Sequence, residues 1–159
     1  MEVTVRSGTA EDAPALARLR WRWETENRDA VEADRAMFLE YFCSWMVDHL
    51  ATHLPFVVEV DGRLAGMAWL MLANRVPNPR RLDRRLGDVQ SVYVLPELRN
   101  SGVGRVLMAA ILEEARDREL DRVTVHAAER ALPFYQRSGF LDGQNWLQWR
   151  PASDGTDRQ

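Results

Sequence analysis

A glycine-containing turn between a strand and a helix carries the residue types that most directly suggest chemistry. Residues 88–94 have the pattern of a strand, and residues 103–119 that of an amphipathic helix. The turn between them consists of Arg99, Asn100, Ser101, Gly102, Val103 and Gly104. Free backbone N–H groups at a helix N-terminus attract anions, and glycine lets a phosphate approach the backbone. Because Arg99 and Arg105 add positive charge, the turn is predicted to bind a pyrophosphate.

The spacing of Arg99, Gly102 and Gly104 alone is compatible with more than one kind of turn. A plain strand-to-helix turn without a ligand has the same local requirements, so that alternative stays open on the spacing alone. A dinucleotide-binding site would need a third glycine where Val106 and Leu107 stand, and a suitably placed acidic residue further on. A P-loop needs a lysine, whereas all 21 basic residues of this chain are arginine.

A second block of residues follows the next predicted strand and makes the pattern more specific. This block contains Phe134, Tyr135, Gly139 and Phe140. Together with Val92, Val94, Pro96 and the turn, it resembles the two signature blocks of the GCN5-related N-acetyltransferases. The order of elements is similar to that family from near Val3 to near Trp149.

The resemblance implies a single-domain α/β fold with a mixed central β-sheet and helices on both faces. The domain is expected to span residues 1–150, and the polar residues 151–159 are expected to form a disordered tail. It also implies acetyl-CoA as the co-substrate and no metal. The resemblance also favours a homodimer.

The resemblance also assigns residues to parts of the cofactor. Val92, Tyr93 and Val94 are expected at the pantetheine arm, which pairs with the backbone of Val92 and Val94 where the strand bulges and leaves its neighbour. The pyrophosphate is expected at the amides of the turn, with Arg105 adjacent, and Tyr135 near the thioester sulfur. Many members have an asparagine where this chain has Ala128, so the cofactor contact of that asparagine is missing or made by another group.

Transfer to an amine requires the amine to be neutral. A lysine-like amine with a pKa of about 10.4 is deprotonated in only roughly one molecule in a few thousand at pH 7, so a base or a water relay is useful. Asp88 is the first candidate, because some members of the family have a catalytic carboxylate four residues before the position of Val92. Glu24, Gln90 acting through water and His126 are the alternatives. A solvent-facing or loop-capping Asp88 also stays open.

Tyr135 is expected to assist the departure of the coenzyme A thiolate. Full proton transfer from a phenol near pKa 10 to a thiolate near 8.5 is uphill by about 2 kcal/mol, so a hydrogen bond is the larger expected contribution. Simple packing at the edge of the core is the other interpretation of this residue.

Other reactive side chains indicate structure more than chemistry. His49 and His53 lack a third ligand, so they are expected at a helix end and not at a metal. Cys43 is expected to be a small buried hydrophobe. Trp21, Trp23, Phe42 and Trp45 are expected in the core or beside the acceptor. An arginine cluster is predicted to be a solvated loop that could also attract an acidic acceptor or the adenosine 3′-phosphate; it contains Arg75, Arg80, Arg81, Arg84 and Arg85.

The remaining elements follow from periodicity and turn residues. Helices are predicted from near Asp12 through Trp23, over residues 34–50 and over residues 132–137. Asp61-Gly62 predicts a hairpin between strands at residues 55–60 and 63–72. The other predicted strands cover residues 2–6, 122–126 and 146–149, and residues 74–87 are predicted to be an exposed loop.

Length and composition describe one globular domain. The chain has 159 residues, of which 46% are hydrophobic and 28% charged, and it carries no long apolar run. A net charge of -3, one cysteine and no basic-then-apolar leader favour a cytoplasmic protein that binds neither nucleic acid nor membrane. The leading hypothesis is an N-acetyltransferase acting on a small-molecule or peptide amine. The alternatives are a non-catalytic acyl-CoA-binding regulatory module and a plain nucleotide-binding domain.

Overall fold

A computed structural model of the chain describes residues 1–26, 34–143, 145 and 147–151. Five strands form one sheet in the order of the chain, namely β1 (Val3–Ser7), β2 (His53–Val60), β3 (Arg63–Asn74), β4 (Arg85–Val94) and β5 (Val123–Val125). The helices of the described residues are α1 (Ala13–Thr25), α2 (Arg35–Asp48), α3 (Val103–Asp117) and α4 (Leu132–Arg137). Short 3₁₀ turns precede α1, α3 and α4.

The sheet is mixed. Neighbouring strands from β1 to β4 are antiparallel, whereas β4 and β5 are parallel, with α3 between them in the chain. The predicted hairpin between β2 and β3 is confirmed. Asp61 and Gly62 both have positive φ, 49° and 74°, as a two-residue type I′ turn requires.

Helices cover both faces of the sheet, as expected. On the face that we call the α3 face, Val58 and Leu70 pack in one buried cluster with Leu107 and Ile111 of α3. On the opposite face, the α1/α2 face, Val57 and Met67 pack with Leu16 of α1 and with α2. Successive residues of a strand point to opposite faces, which is why the centres of β2 and β3 are apolar almost without interruption.

The start of α1 is held by a charged cluster at the end of β1. Arg6 donates hydrogen bonds to both carboxylate oxygens of Asp12, at 2.8 Å each, and also binds Glu59 on the neighbouring strand. The Asp12 carboxylate accepts from the backbone N–H of Thr9 at 2.8 Å, in the reciprocal arrangement of a capping box. The regular helix therefore begins at Ala13, with Pro14 in its first turn.

Several predicted boundaries differ from the structure. β3 continues to Asn74, and β4 already begins at Arg85. The loop predicted at residues 74–87 is therefore shorter than expected, because both of its ends pair with each other as strands. The prediction of a last strand at residues 146–149 is wrong for Leu147, Gln148 and Trp149, which lie outside any strand, with Leu147 and Trp149 strongly exposed. Trp146 and residues 152–159 of the predicted tail lie outside the described residues. No described helix is both long and apolar enough to span a membrane.

Candidate active site

The sheet opens where β4 and β5 separate. The two strands pair only from Gly87 to Val89, with Val89 opposite Val125 as the last pair. β4 then contains an extra residue relative to β3, and Ser91 at this bulge has a φ of 52°. The bulge and the separation that the family resemblance implied are therefore present. They form a cleft of about 1390 Å³ between the second half of β4 and the segment after β5.

The predicted anion-binding turn borders this cleft. Gly102 caps α3 in the left-handed region at a φ of 93°, and Asn100 also has a positive φ of 62°. Ser101 donates a hydrogen bond of 2.6 Å to the carbonyl of Leu98, which holds the turn closed. Val103 is fully buried in the core and does not line the cleft. Gly102, Gly104 and Arg105 line the cleft, so the N-terminus of α3, the end of a helix that attracts anions, borders it.

Gly104 leaves room between this turn and α4. A Cβ atom at position 104 would lie 3.3 Å from Cε2 of Phe134 and 4.0 Å from Cγ2 of Val94. Any side chain here would press on the Phe134 ring and narrow the passage along β4. The sequence prediction assigned Gly104 to close approach of a phosphate, and the structure adds close approach of α4 as a second reason for glycine.

The side chain of Arg99 does not face the turn as a free cation. Its Nε donates to the carbonyl of Val94 at 3.0 Å, and its guanidinium forms an ion pair of 2.9 Å with Glu26 at the end of α1. The expectation that Arg99 adds free positive charge at the turn therefore needs this correction. Three exposed arginines line the cleft without an ion pair to any described residue, namely Arg105, Arg130 and Arg137.

The side chain of Tyr93 lies on the α1/α2 face of the sheet, where it contacts α1. Its hydroxyl donates to Glu26 at 2.7 Å, and its ring stacks on Trp23 at 5.6 Å. Burial, with the bond to Glu26, raises the pKa of Tyr93 to about 12. Burial alone would raise the pKa of Glu26, but the hydrogen bonds from Tyr93 and Arg99 outweigh it, so the pKa lies below its ordinary range. This network connects α1 to the strand and turn of the cleft.

Tyr135 lies on the α3 face and lines the cleft. Its ring is held by edge contacts with Phe134 at 5.0 Å and Phe140 at 5.6 Å. Within the described residues its hydroxyl makes no hydrogen bond, and burial raises the pKa of this phenol. The hydroxyl is thus a protonated donor that remains available to a ligand.

Asp88 sits beside the separation of the strands, on the α1/α2 face. Its carboxylate accepts a hydrogen bond of 2.7 Å from Thr124 of β5 and one of 3.0 Å from Gln90. Gln90 and the exposed His126 also line the cleft. Glu24 forms an ion pair of 3.1 Å with Arg20 and does not line the cleft. The structure thus brings together three of the four candidate bases.

The remaining sequence candidates lie away from the cleft. His49 ends α2 and His53 begins β2, with ring centroids 5.7 Å apart; burial, and to a lesser extent His49, lowers the pKa of His53. The described residues contain no group of three or more potential metal ligands. Cys43 is half-buried and free. Ala128 lines the cleft and offers no polar side chain.

The arginine cluster is more ordered than predicted. Arg75, Arg81 and Arg84 all form ion pairs with Asp121, at 3.0 to 3.3 Å. Asp121 follows α3 and leads into β5, so the loop between β3 and β4 is attached to the parallel edge of the sheet. The simple prediction of a solvated loop missed this carboxylate because it lies 37 to 46 residues away in the chain.

Sequence reasoning also missed Glu26, Thr124, Arg130 and Arg137 at this site. Arg137 stands two residues after Tyr135, so its place in the motif was a usable signal. Glu26 and Thr124 carry no local signal, because their partners come from other elements.

Known proteins resemble this chain in sequence and in fold. An aminoglycoside N(6')-acetyltransferase type 1 of Stenotrophomonas maltophilia is 30% identical over 82% of this chain and 85% of that protein. A glucosamine 6-phosphate N-acetyltransferase of Trypanosoma brucei brucei is 33% identical, but the match covers 54% of this chain and 56% of that protein. A mycothiol acetyltransferase of Salinispora arenicola is 36% identical over 54% of this chain and 28% of its own length. The chain thus matches about half of the second relative and less than a third of the third.

Two solved structures share the fold over most of their length. A predicted acetyltransferase of Clostridium acetobutylicum, crystallised with acetyl-CoA, has a TM-score of 0.73 at 19% identity and covers 94% of this chain and 96% of its own. A GCN5-related N-acetyltransferase of Ralstonia eutropha has a TM-score of 0.71 at 24% identity, and the match covers 94% of this chain and 99% of that protein. The family model for the acetyltransferase (GNAT) family matches residues 14–140. This match covers most of the chain, which therefore belongs to the GNAT acetyltransferase family.

Proposed function

We propose that this chain transfers the acetyl group of acetyl-CoA to a primary amine of a small molecule or peptide, by direct attack in a ternary complex. The observation that carries the proposal is the cleft between β4 and β5. The glycine-containing start of α3, an unpaired strand edge and a buried phenol line this one space of about 1390 Å³. These three features suit the pyrophosphate, the pantetheine arm and the thioester in turn.

Acetyl-CoA would lie along the cleft from α3 towards Asp88. Its pyrophosphate would accept hydrogen bonds from amides among residues 100–104, with Arg105 beside it, because the amide of Arg99 already donates to the carbonyl of Pro96. Its pantetheine amides would pair with the backbone of Val92 and Val94, where β5 no longer occupies that edge. Because Arg99 already donates to the carbonyl of Val94, that carbonyl would be shared or Arg99 would turn away.

The two faces of the sheet separate the group that would take the amine proton from the group that would stabilise the departing thiolate. Asp88 and Thr124 lie on the α1/α2 face, and Tyr135 packs on the α3 face. An amine arriving from the α1/α2 face would attack the thioester carbon. As the C–N bond forms and the C–S bond breaks, Asp88 would take the amine proton, and the Tyr135 hydroxyl would hydrogen-bond the departing thiolate.

The class of acceptor is suggested by the relatives and by the aromatic wall. Relatives are named for acetylation of glucosamine 6-phosphate, an amino sugar, and of an aminoglycoside, which contains amino sugars. On the α1/α2 face, Trp23 of α1 lines the cleft, and Phe42 of α2 contacts Trp69, the register partner of Gln90, at 5.8 Å. Such rings provide flat apolar surfaces against which a sugar ring can pack.

The test is release of coenzyme A thiol from acetyl-CoA in the presence of single amines. The panel contains glucosamine 6-phosphate, an aminoglycoside and a peptide with a free N-terminus. We expect thiol release that depends on one of these amines and an acetylated product of the matching mass. Tight binding of acetyl-CoA without transfer to any amine of a broadened panel would instead support the non-catalytic acyl-CoA-binding module.

A further inference from the structure

Three polar side chains form a chain of hydrogen bonds at the point where the sheet opens. Thr124 Oγ1 donates to Asp88 Oδ1 at 2.7 Å, and Gln90 Nε2 donates to Asp88 Oδ2 at 3.0 Å. All three side chains are half-buried, and two neighbouring strands supply them. The carboxylate of Asp88 therefore connects a hydroxyl of β5 to an amide of β4.

This series of hydrogen bonds determines which way the side-chain amide of Gln90 faces. An ionised carboxylate only accepts hydrogen bonds, so the nitrogen of the amide must face Asp88. The side-chain oxygen of Gln90 consequently faces away from Asp88, and no group among the described residues donates to it. Gln90 lines the cleft, so this oxygen is an oriented acceptor at the cleft wall.

The position of Gln90 coincides with the proposed point of reaction. It directly follows Val89, the last residue of β4 that pairs with β5, and directly precedes the bulge at Ser91. Its register partner on β3 is Trp69, which packs on the α1/α2 face. Gln90 thus stands on the face from which the acceptor would arrive, where the cleft begins.

On the basis of the acetyl transfer proposed above, we propose that Gln90 orients the acceptor amine through its side-chain oxygen, and that Thr124 positions Gln90 through Asp88. A neutral primary amine has two N–H groups and one lone pair, and the lone pair must face the thioester carbon. Gln90 Oε1 accepts one N–H, and Asp88, whose oxygens each retain a lone pair, accepts the other. An alcohol has a single O–H group and cannot fill both acceptors, so the pair selects primary amines over hydroxyl groups.

The test compares Thr124→Val, which removes only the hydroxyl, with Thr124→Ser, which retains it. Kinetics are measured with glucosamine 6-phosphate, or with the aminoglycoside if that is the faster acceptor. We expect Thr124→Val to raise KM for the amine roughly threefold to tenfold, the effect of one hydrogen bond, while KM for acetyl-CoA stays within about twofold. Thr124→Ser should match the wild type. Calorimetry of amine binding to the coenzyme A complex of each variant, in which no turnover occurs, should rank the affinities for the amine in the same order.

Gln90→Met tests the same idea without altering β5. It keeps the length of the side chain and removes both polar groups, and we expect a rise in KM for the amine at least as large as that of Thr124→Val. Because Thr124 acts partly through Gln90 and partly through the direct contact of Asp88 with the amine, adding Thr124→Val to Gln90→Met should cause a smaller further loss than Thr124→Val causes alone. Additive losses, or equal kinetics for the Val and Ser variants, would overturn the role of Gln90 and Thr124 while leaving acetyl transfer intact. A wild type that acetylates no amine would overturn the proposed function as well.

Discussion

At the scale of single residues, Tyr135 shows how burial changes what a side chain can contribute. Two aromatic neighbours hold its ring, and burial raises the pKa of its phenol above the ordinary value of 10.0. A higher pKa makes the phenol a weaker acid, so full proton transfer to a thiolate becomes less favourable than it is in water. We therefore expect Tyr135 to act as a hydrogen-bond donor that stays protonated over the working pH range.

Tyr135→Phe should lower kcat by roughly tenfold to a thousandfold, with little change in the affinity for coenzyme A. The substitution keeps the ring and its packing and removes the one hydroxyl. Single-turnover kinetics on an identified acceptor would measure the chemical step directly, which matters if product release limits kcat. Phe140→Leu is a packing control, because it changes a neighbour of the ring and leaves the hydroxyl in place. An unchanged single-turnover rate for Tyr135→Phe would remove Tyr135 from the mechanism.

At the scale of elements, the junction of β1 and α1 depends on one carboxylate. The hydrogen bonds from Arg6, opposed by burial and aided by Thr9, lower the pKa of Asp12 from 3.8 to about 2. Because the folded state holds Asp12 ionised more strongly than the unfolded state does, Asp12 stabilises the fold at pH values above about 4. This contribution is lost as the pH falls through about 2.

Asp12→Asn should reduce the free energy of unfolding by roughly 1 kcal/mol at pH 7, as expected for loss of a cap and an exposed ion pair. The difference from the wild type should shrink as the pH falls from about 4 towards 2, and urea unfolding at several pH values would measure it. Glu11→Gln is the matched control, since Glu11 is the exposed neighbour of Asp12 in the same turn. A difference that persists at pH 2, or an equal loss in the control, would contradict this account of Asp12.

At the scale of the whole molecule, acetyl-CoA would contact several separate segments of the chain at once. Arg99, before α3, forms an ion pair of 2.9 Å with Glu26 at the end of α1, and Arg22 of α1 forms one of 3.3 Å with Glu97, which also precedes α3. A ligand in the cleft would add contacts from the turn, β4 and α4 at the same time.

Acetyl-CoA should therefore raise the melting temperature of the protein. A ligand that binds only the folded state adds about 2.7 kcal/mol at one hundred times its Kd. For a domain of this size that corresponds to roughly 5–10 °C. NAD is the control, because the turn lacks a dinucleotide fingerprint, and we expect no shift with it. A shift with NAD and none with acetyl-CoA would contradict the assignment of the cleft.

Local sequence determined the features whose causes are local. Asp61-Gly62 dictates its hairpin because few other pairs adopt two positive φ angles, and Gly102 marks the turn for a similar reason. The apolar stripe of residues 103–111 places α3 on the sheet because an amphipathic helix must bury that face. Both motif blocks, and with them the family, are readable because each lies within a short stretch of chain.

Tertiary structure alone decided the contacts between distant residues. Arg99 turns towards Glu26, which is 73 residues away, and Thr124 reaches Asp88 across 36 residues. Such pairings depend on which strands are neighbours, in what register, and where a bulge shifts that register, and no local pattern encodes them. The same reason explains the failed strand at Leu147–Trp149: alternation makes a segment suitable for a sheet, but a strand also needs a neighbouring edge to pair with.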